Sequence, residues 1–181
     1  MFKKNRRLPL KNLTKTTLFL VCLSFLVSCG YRNPNVYNGP AKAIYLTEWK
    51  NRTSQLGLDS EIYQSLTNWF QKSGALSTTR QRNGADLILA GEIVSLALPS
   101  LSYNDKNKAQ EAKVKLTIRY ILKDMKSNKV LLEVPLEVWT EAYSVTGSAA
   151  TDAENEAKAL EKIIDDLSLK IYQRTVAALP R

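Results

Sequence analysis

Lys113-Val114-Lys115-Leu116-Thr117-Ile118-Arg119-Tyr120-Ile121-Leu122-Lys123 decides the fold of this chain. Val114, Leu116, Ile118, Tyr120 and Leu122 alternate strictly with a second, mostly charged or polar set. Successive side chains of a strand point to opposite faces, so this alternation marks a strand with one buried and one wet face. Beyond Ser127-Asn128-Lys129, a second run puts Leu132, Val134, Leu136 and Val138 on one face and Glu133, Glu137 and Glu141 on the other. The two runs read as an antiparallel hairpin. Their charges propose a register. With Lys126 opposite Val130, Lys123 meets Glu133, Arg119 meets Glu137 and Lys115 meets Glu141, each pair worth roughly 0.2–1 kcal/mol. Pro135 has no N–H to donate, which predicts an edge or a bulge and makes the Glu133–Glu141 strand an edge strand.

Upstream, Leu87 to Leu98 is apolar on both parities, as in a strand covered on both faces or central in a sheet. Gly91 and Glu92 interrupt it, marking a bulge or a close backbone approach. Pro99 to Lys108 reads as a polar loop. Ala43-Ile44-Tyr45-Leu46 reads as a first strand. Between these strands, Leu58, Ile62, Leu66, Trp69 and Phe70 recur at helical spacing. Asp59 or Ser60 serves as the start signal, and Gly74 stands where a left-handed cap belongs. Downstream, Thr151-Asp152-Ala153-Glu154 has the form of a capping box. Ala157, Leu160, Ile164, Leu167 and Ile171 line one face behind it, with Glu154–Lys158 and Asp166–Lys170 as i,i+4 pairs. The order β-α-β-β-β-α predicts an α+β two-layer sandwich, a mixed four-stranded sheet with two helices on one face. A β-α-β crossover makes the first two strands parallel.

The first 28 residues are different material. Lys3, Lys4, Arg6, Arg7, Lys11 and Lys15 stand without an acid, followed by an apolar run from Leu18 to Val27. That is the anatomy of an export signal, too short for a spanning helix. Leu26-Val27-Ser28-Cys29 resembles the lipobox of bacterial lipoproteins. The resemblance implies acylation of the Cys29 thiol, cleavage before it, and a membrane-anchored product. The chain then divides into a signal (1–28), a lipidated cysteine with a Gly/Pro/Asn-rich linker (29–40) and one α+β domain (41–181).

Charge and cysteine content narrow the chemistry. The whole chain carries +9, but six of its 26 basic residues lie in the signal. The remainder has 20 bases against 17 acids, so a nucleic-acid-binding reading loses most of its support. There is no histidine, and the two cysteines are Cys22 in the signal and Cys29. No disulfide is then available after processing, and a transition-metal site has no soft or imidazole ligands. The close acidic pairs Asp59/Glu61 and Asp165/Asp166 come with no nucleophile elbow, phosphate-cradling glycine loop or metal cluster, so no catalytic residues are assigned. The Asn51-Arg52-Thr53 sequon is read as structure only.

From Cys29 to about Val176 the chain resembles the lipopolysaccharide-assembly lipoprotein family (LptE type). The resemblance is carried by Cys29-Gly30-Tyr31, a strand running into Asn51-Arg52-Thr53 with Gly57-Leu58 after it, and Ala85-Asp86-Leu87-Ile88-Leu89 with Gly91 following. The hairpin at Lys129-Val130-Leu131 and the Glu-rich C-terminal helix complete it. It implies an outer-membrane, periplasm-facing lipoprotein without enzyme activity or cofactor. Such a protein plugs and helps assemble a large β-barrel partner (LptD type) that inserts lipopolysaccharide into the outer leaflet. Lipid A phosphates would be met by basic loop residues, since ammonium and guanidinium groups make charge-assisted bonds to phosphate. The candidates are Arg80 and Arg82, Lys106 and Lys108, and Lys126 and Lys129. The alternative reading is an accessory lipoprotein of another secretion or envelope assembly.

Overall fold

The computed structural model describes residues 37, 39–72, 74, 76–103 and 109–179. Its elements are β1 (Lys42–Leu46), β2 (Lys50–Asn51), α1 (Leu58–Gln71), β3 (Leu76–Thr79), β4 (Leu87–Ala97), β5 (Ser100–Tyr103), β6 (Ala109–Asp124), β7 (Val130–Ser144) and α2 (Ala149–Ala178). The architecture is α+β, with one mixed sheet carrying both helices. The expected four strands are β1, β4, β6 and β7, and three short ones join them. β3 pairs parallel with the outer side of β1, β2 pairs with β4 beyond the end of β1, and β5 pairs with β6 beyond the end of β4. β5 corrects the reading of 99–108 as a plain loop.

β1 and β4 run parallel, Ile44 facing Leu87, and β4 is central, with β6 antiparallel on its other side. The strands contribute Ile44, Leu46, Leu87, Leu89, Ile93, Leu116, Ile118 and Leu122 to the core. α1 buries Leu58, Ile62, Leu66 and Phe70, and α2 buries Leu160, Ile163, Ile164, Leu167 and Ile171. The helices also meet each other. Phe70 and Tyr172 pack edge to face with centroids 5.4 Å apart, and Trp69 Nε1 donates to Asp165 Oδ1 at 2.9 Å.

Helix ends depart from the sequence reading. α1 is entered through Gly57 at φ +82°, where a side chain would be strained, with no side-chain cap from Asp59 or Ser60. Gly74 is not left-handed, and the C-cap is Lys72. α2 starts two residues before Thr151, with Ser148 as N-cap. Thr151 donates its hydroxyl to Ser148 Oγ, while Asp152 reaches back to accept Thr146 N–H (2.6 Å) and Gly147 N–H (3.2 Å). Those two amides hold the Asp152 carboxyl below its ordinary pKa, Thr146 foremost. Glu154–Lys158 forms at 2.6 Å, whereas Asp166 pairs back to Lys162 at 3.7 Å and not on to Lys170.

Among the described residues β7 pairs only with β6, so it is the edge strand that Pro135 predicts. The charge-derived register does not form. Val114 faces Glu141, Ile118 faces Glu137 and Lys123 faces Val130. Tyr120 faces Val134, so Pro135 and Leu136 together oppose Arg119 in a bulge. The extra residue reverses the alternation. Beyond it Glu137, Trp139, Glu141 and Tyr143 turn toward α2, while Leu136 (60% exposed) and Val138 (48% exposed) turn to the open face. The inward carboxylates find cations on α2: Glu137 pairs with Arg174 at 2.6 Å and Glu141 with Lys162 at 2.7 Å. Arg174 also donates to the Tyr120 hydroxyl at 2.8 Å. Cutting Arg174 to Met leaves a half-buried carboxylate without its cation. The expected loss is about 1–3 kcal/mol in urea unfolding, recovered in part by adding Glu137→Gln.

Candidate functional site: the hairpin end and the open sheet face

Asp86 organises one end of the sheet. Its N–H donates to Ala43 O (2.8 Å) and its Oδ2 accepts Ala43 N–H (2.9 Å), clamping β4 to the start of β1. Its carbonyl accepts Met125 N–H (2.8 Å), and its Oδ1 meets Lys126 Nζ at 2.7 Å, so the β6–β7 turn is clamped too. The bond from Lys126, then that from Ala43, draws the Asp86 carboxyl below its ordinary pKa. This is the physical content of the Ala85-Asp86 segment. Within the turn, Asp124 Oδ1 accepts Ser127 N–H (2.7 Å), and Asn128 takes φ +60°. Tyr37 lies buried at the same end. Burial first, and the Asp86 charge second, raise its phenol above the ordinary range. Gly39 sits against the Tyr37 ring so closely that any side chain there would collide with it.

The basic candidates do not form one cluster among the described residues. Lys126 and Lys129 sit at the hairpin turn, where Lys126 is ion-paired to Asp86. Arg80 follows β3 one step past the Tyr45–Thr79 pair, toward the other end of β1. There it borders a cavity of about 750 Å³ with Tyr45, Glu48, Asp59 and Tyr63. Arg82 lies in the following turn, its carbonyl accepting Ala85 N–H at 3.3 Å. Lys106, Lys108 and Cys29 lie outside the described residues.

The sequence reading missed a second charged centre. On the open face Glu92, opposite Arg119 in the β4–β6 register, accepts both Arg119 Nη2 (2.6 Å) and Arg119 Nε (3.0 Å) and pairs with Arg52. Arg52 is placed by the Asn51-Arg52-Thr53 turn. Asn51 Oδ1 accepts Thr53 N–H (2.9 Å), and Asn51 Nδ2 donates to Gln55 O (2.7 Å). The sequon is thus an Asx turn. On the other face Trp49 covers the backbone of Gly91 and stacks toward Tyr120 with centroids 6.4 Å apart. Gly91 therefore marks a close approach, and the nearby bulge falls between Ile93 and Ser95. The open face thus offers two arginines around one carboxylate, flanked by exposed Ile121, Leu136 and Val138. It suits contact with another surface. Among the described residues no group of three His, Cys, Asp or Glu could hold a metal. No described helix is long and apolar enough to cross a membrane.

This sandwich is shared with solved bacterial proteins, lipoproteins among them. Lipoprotein B from Nitrosomonas europaea is 16% identical, covering 82% of this chain and 91% of its own at a TM-score of 0.58. Rare lipoprotein B from Shewanella oneidensis is 10% identical, covering 75% and 94%, also at 0.58. Protein XCC0632 from Xanthomonas campestris is 12% identical, covering 81% and 89% at 0.56. At these identities the likeness concerns the fold alone. No curated protein matches the sequence significantly. The family model described as lipopolysaccharide-assembly (LptE) matches residues 41–175, and the chain belongs to that family. Its role is of the lipopolysaccharide-assembly type, in a family of non-enzymatic envelope lipoproteins.

Proposed function

We propose that this protein is the lipid-anchored plug and assembly subunit of the translocon that delivers lipopolysaccharide to the outer leaflet. It is acylated at Cys29, faces the periplasm from the outer membrane, and lodges in the lumen of an LptD-type β-barrel. The family match over residues 41–175 carries this reading. The open sheet face supports it, since a surface mixing arginines, a carboxylate and exposed aliphatics suits a polar protein wall better than water alone. The protein carries out no covalent step. Arg80, Arg82, Lys106, Lys108, Lys126 and Lys129 are the loop residues proposed to meet lipid A phosphates.

The test is affinity isolation of the C-terminally tagged full-length protein from detergent-solubilised outer membranes. A large β-barrel protein at near-equal stoichiometry is the expected result. Recovery alone, or with inner-membrane or secretion components, would overturn the reading. Reversing charge at Arg80, Arg82, Lys106 and Lys108 together is expected to lower lipopolysaccharide capture about tenfold while barrel recovery stays unchanged, loss of several charge-assisted contacts being ample for that factor. Equal capture would remove these residues from the proposed site.

A further inference from the structure

We propose that the groove between α1 and α2 docks a basic peptide segment of a partner protein. The apolar side of the segment rests on the groove floor, and its lysines or arginines meet the carboxylates along both walls. This goes beyond the translocon reading and does not depend on it, since the occupant is defined by its chemistry and not by the protein that supplies it.

The groove is a cavity of about 770 Å³. On α1 the stripe from Glu61 to Lys72 faces it, roughly 16 Å along the helix axis. On α2 the small side chains of Ala153 and Ala157 leave the space, and Leu160 and Ile164 form the floor. Trp69 stands toward one end, held by its bond to Asp165 at 2.9 Å, and Gln55 borders the cavity as well. Next to Gln55, Leu56 is 90% exposed, an apolar contact on a turn that Asn51 fixes. The length suits about three turns of helix or five residues of extended chain.

Charge decides what fits. Glu61, Glu156, Glu161 and Asp165 line the walls, and Lys72 is the one cation among the described lining residues. Its ammonium lies over the Trp69 ring, 3.9 Å from the centroid. Among the described residues none of the four carboxylates forms an ion pair, although Glu156 accepts the Tyr143 hydroxyl. The cations of α2 are spent elsewhere. Lys158 pairs with Glu154, Lys162 with Glu141 and Asp166, and Arg174 with Glu137. The side of α2 that faces α1 is therefore left with uncompensated negative charge above an apolar floor. Like charge repels an acidic peptide or an anionic headgroup, and a wholly apolar segment would strip water from four carboxylates without replacing it. A segment that carries both apolar and basic side chains satisfies floor and walls together.

The test places a photo-crosslinking benzoylphenylalanine at Asn68, on the exposed rim, in the full-length lipoprotein within the cells that make it. The adduct is mapped by mass spectrometry. A protein segment with at least two lysines or arginines within about ten residues is the expected adduct. Its yield is expected to fall about fivefold with Glu61→Gln/Glu161→Gln, two exposed charge pairs being enough for that factor, and to hold with Glu111→Gln/Glu133→Gln on the sheet. All four glutamates are exposed, so the fold tolerates each change. Ala157→Trp, which fills the groove without altering charge, is expected to lower the yield as well. An adduct with a neutral or acidic segment, with lipid, with lipopolysaccharide or with a second copy of this chain overturns the proposal. So does the absence of any adduct, a yield that ignores Glu61 and Glu161 or Ala157→Trp, or one that both glutamate pairs lower equally. Recovery of the barrel is scored in a separate experiment, so either reading can fail without the other.

Discussion

Gly91→Ala is expected to destabilise the fold by about 2–3 kcal/mol, against the usual sign for such a change. In an ordinary strand, replacing glycine with alanine gains roughly 0.5–1 kcal/mol, because glycine loses the most backbone freedom on folding. Here a β-carbon on Gly91 would be placed inside contact distance of the Trp49 ring. That ring is rigid, 3% exposed, and held between the sheet and its neighbours, with Tyr120 on the facing strand. The indole cannot swing aside into water without giving up its own burial, so the clash is relieved by shifting packed groups, at the cost typical of overpacking. Trp49→Ala alone should lose roughly 3–5 kcal/mol. The decisive measurement is the double mutant. With the indole gone, Gly91→Ala should become nearly neutral or mildly stabilising in urea unfolding, a coupling of about 2 kcal/mol or more. If the two losses simply add, the close approach is not what requires glycine at 91.

Asp86→Ala is the second large effect, expected at about 2 kcal/mol, with the melting temperature falling by about 4–8 °C for a domain of this size. The loss comes from the backbone clamp. Ala43 N–H, part-buried at the start of β1, is left without an acceptor, and a carboxylate accepting an amide is worth more than a neutral acceptor. The ion pair to Lys126 contributes little, because that lysine is 80% exposed and its attraction is screened. Lys126→Gln should therefore cost well under about 1 kcal/mol. Equal losses for the two variants would transfer the effect to the ion pair.

The pH dependence follows from the depressed carboxyl. A group whose folded-state pKa lies below its unfolded value contributes its full stability above the unfolded value, 3.8 for this aspartate, and loses it as the pH falls through the folded one. The gap between wild type and Asp86→Ala should therefore be constant near neutrality and narrow below about pH 4. A gap that widens in acid would contradict the assignment.

Much of this protein is written in local pattern. Strict alternation in 113–123 specifies a strand whatever surrounds it, because the two-residue period of the pleat lets one buried face select the side chains. The helical spacings of α1 and α2 and the edge character of β7 announced by Pro135 are equally local, each resting on a property of one residue or one repeat, whereas Gly91 announces a bulge or a close approach and only the placement of Trp49 decides between them.

Tertiary structure alone decided the rest. Cross-strand charge matching proposed a hairpin register that does not exist, because exposed pairs worth a fraction of a kcal/mol cannot oppose the burial of Trp139 and Tyr143 against α2. Once Pro135 and Leu136 bulge, the parity of β7 reverses. Glu137 and Glu141 then face Arg174 and Lys162, partners 37 and 21 residues away along the chain. Strand β3, four residues long with three of them polar, has too little pattern to be seen, and it forms because β1 offers an unpaired side. The six basic loop residues looked like one site in sequence. The described ones separate because Arg80 lies toward one end of β1 and Lys126 at the other. The Arg52–Glu92–Arg119 centre, assembled from three segments, is likewise decided by strand pairing, because a local pattern records which face a residue takes and pairing records which residues share it.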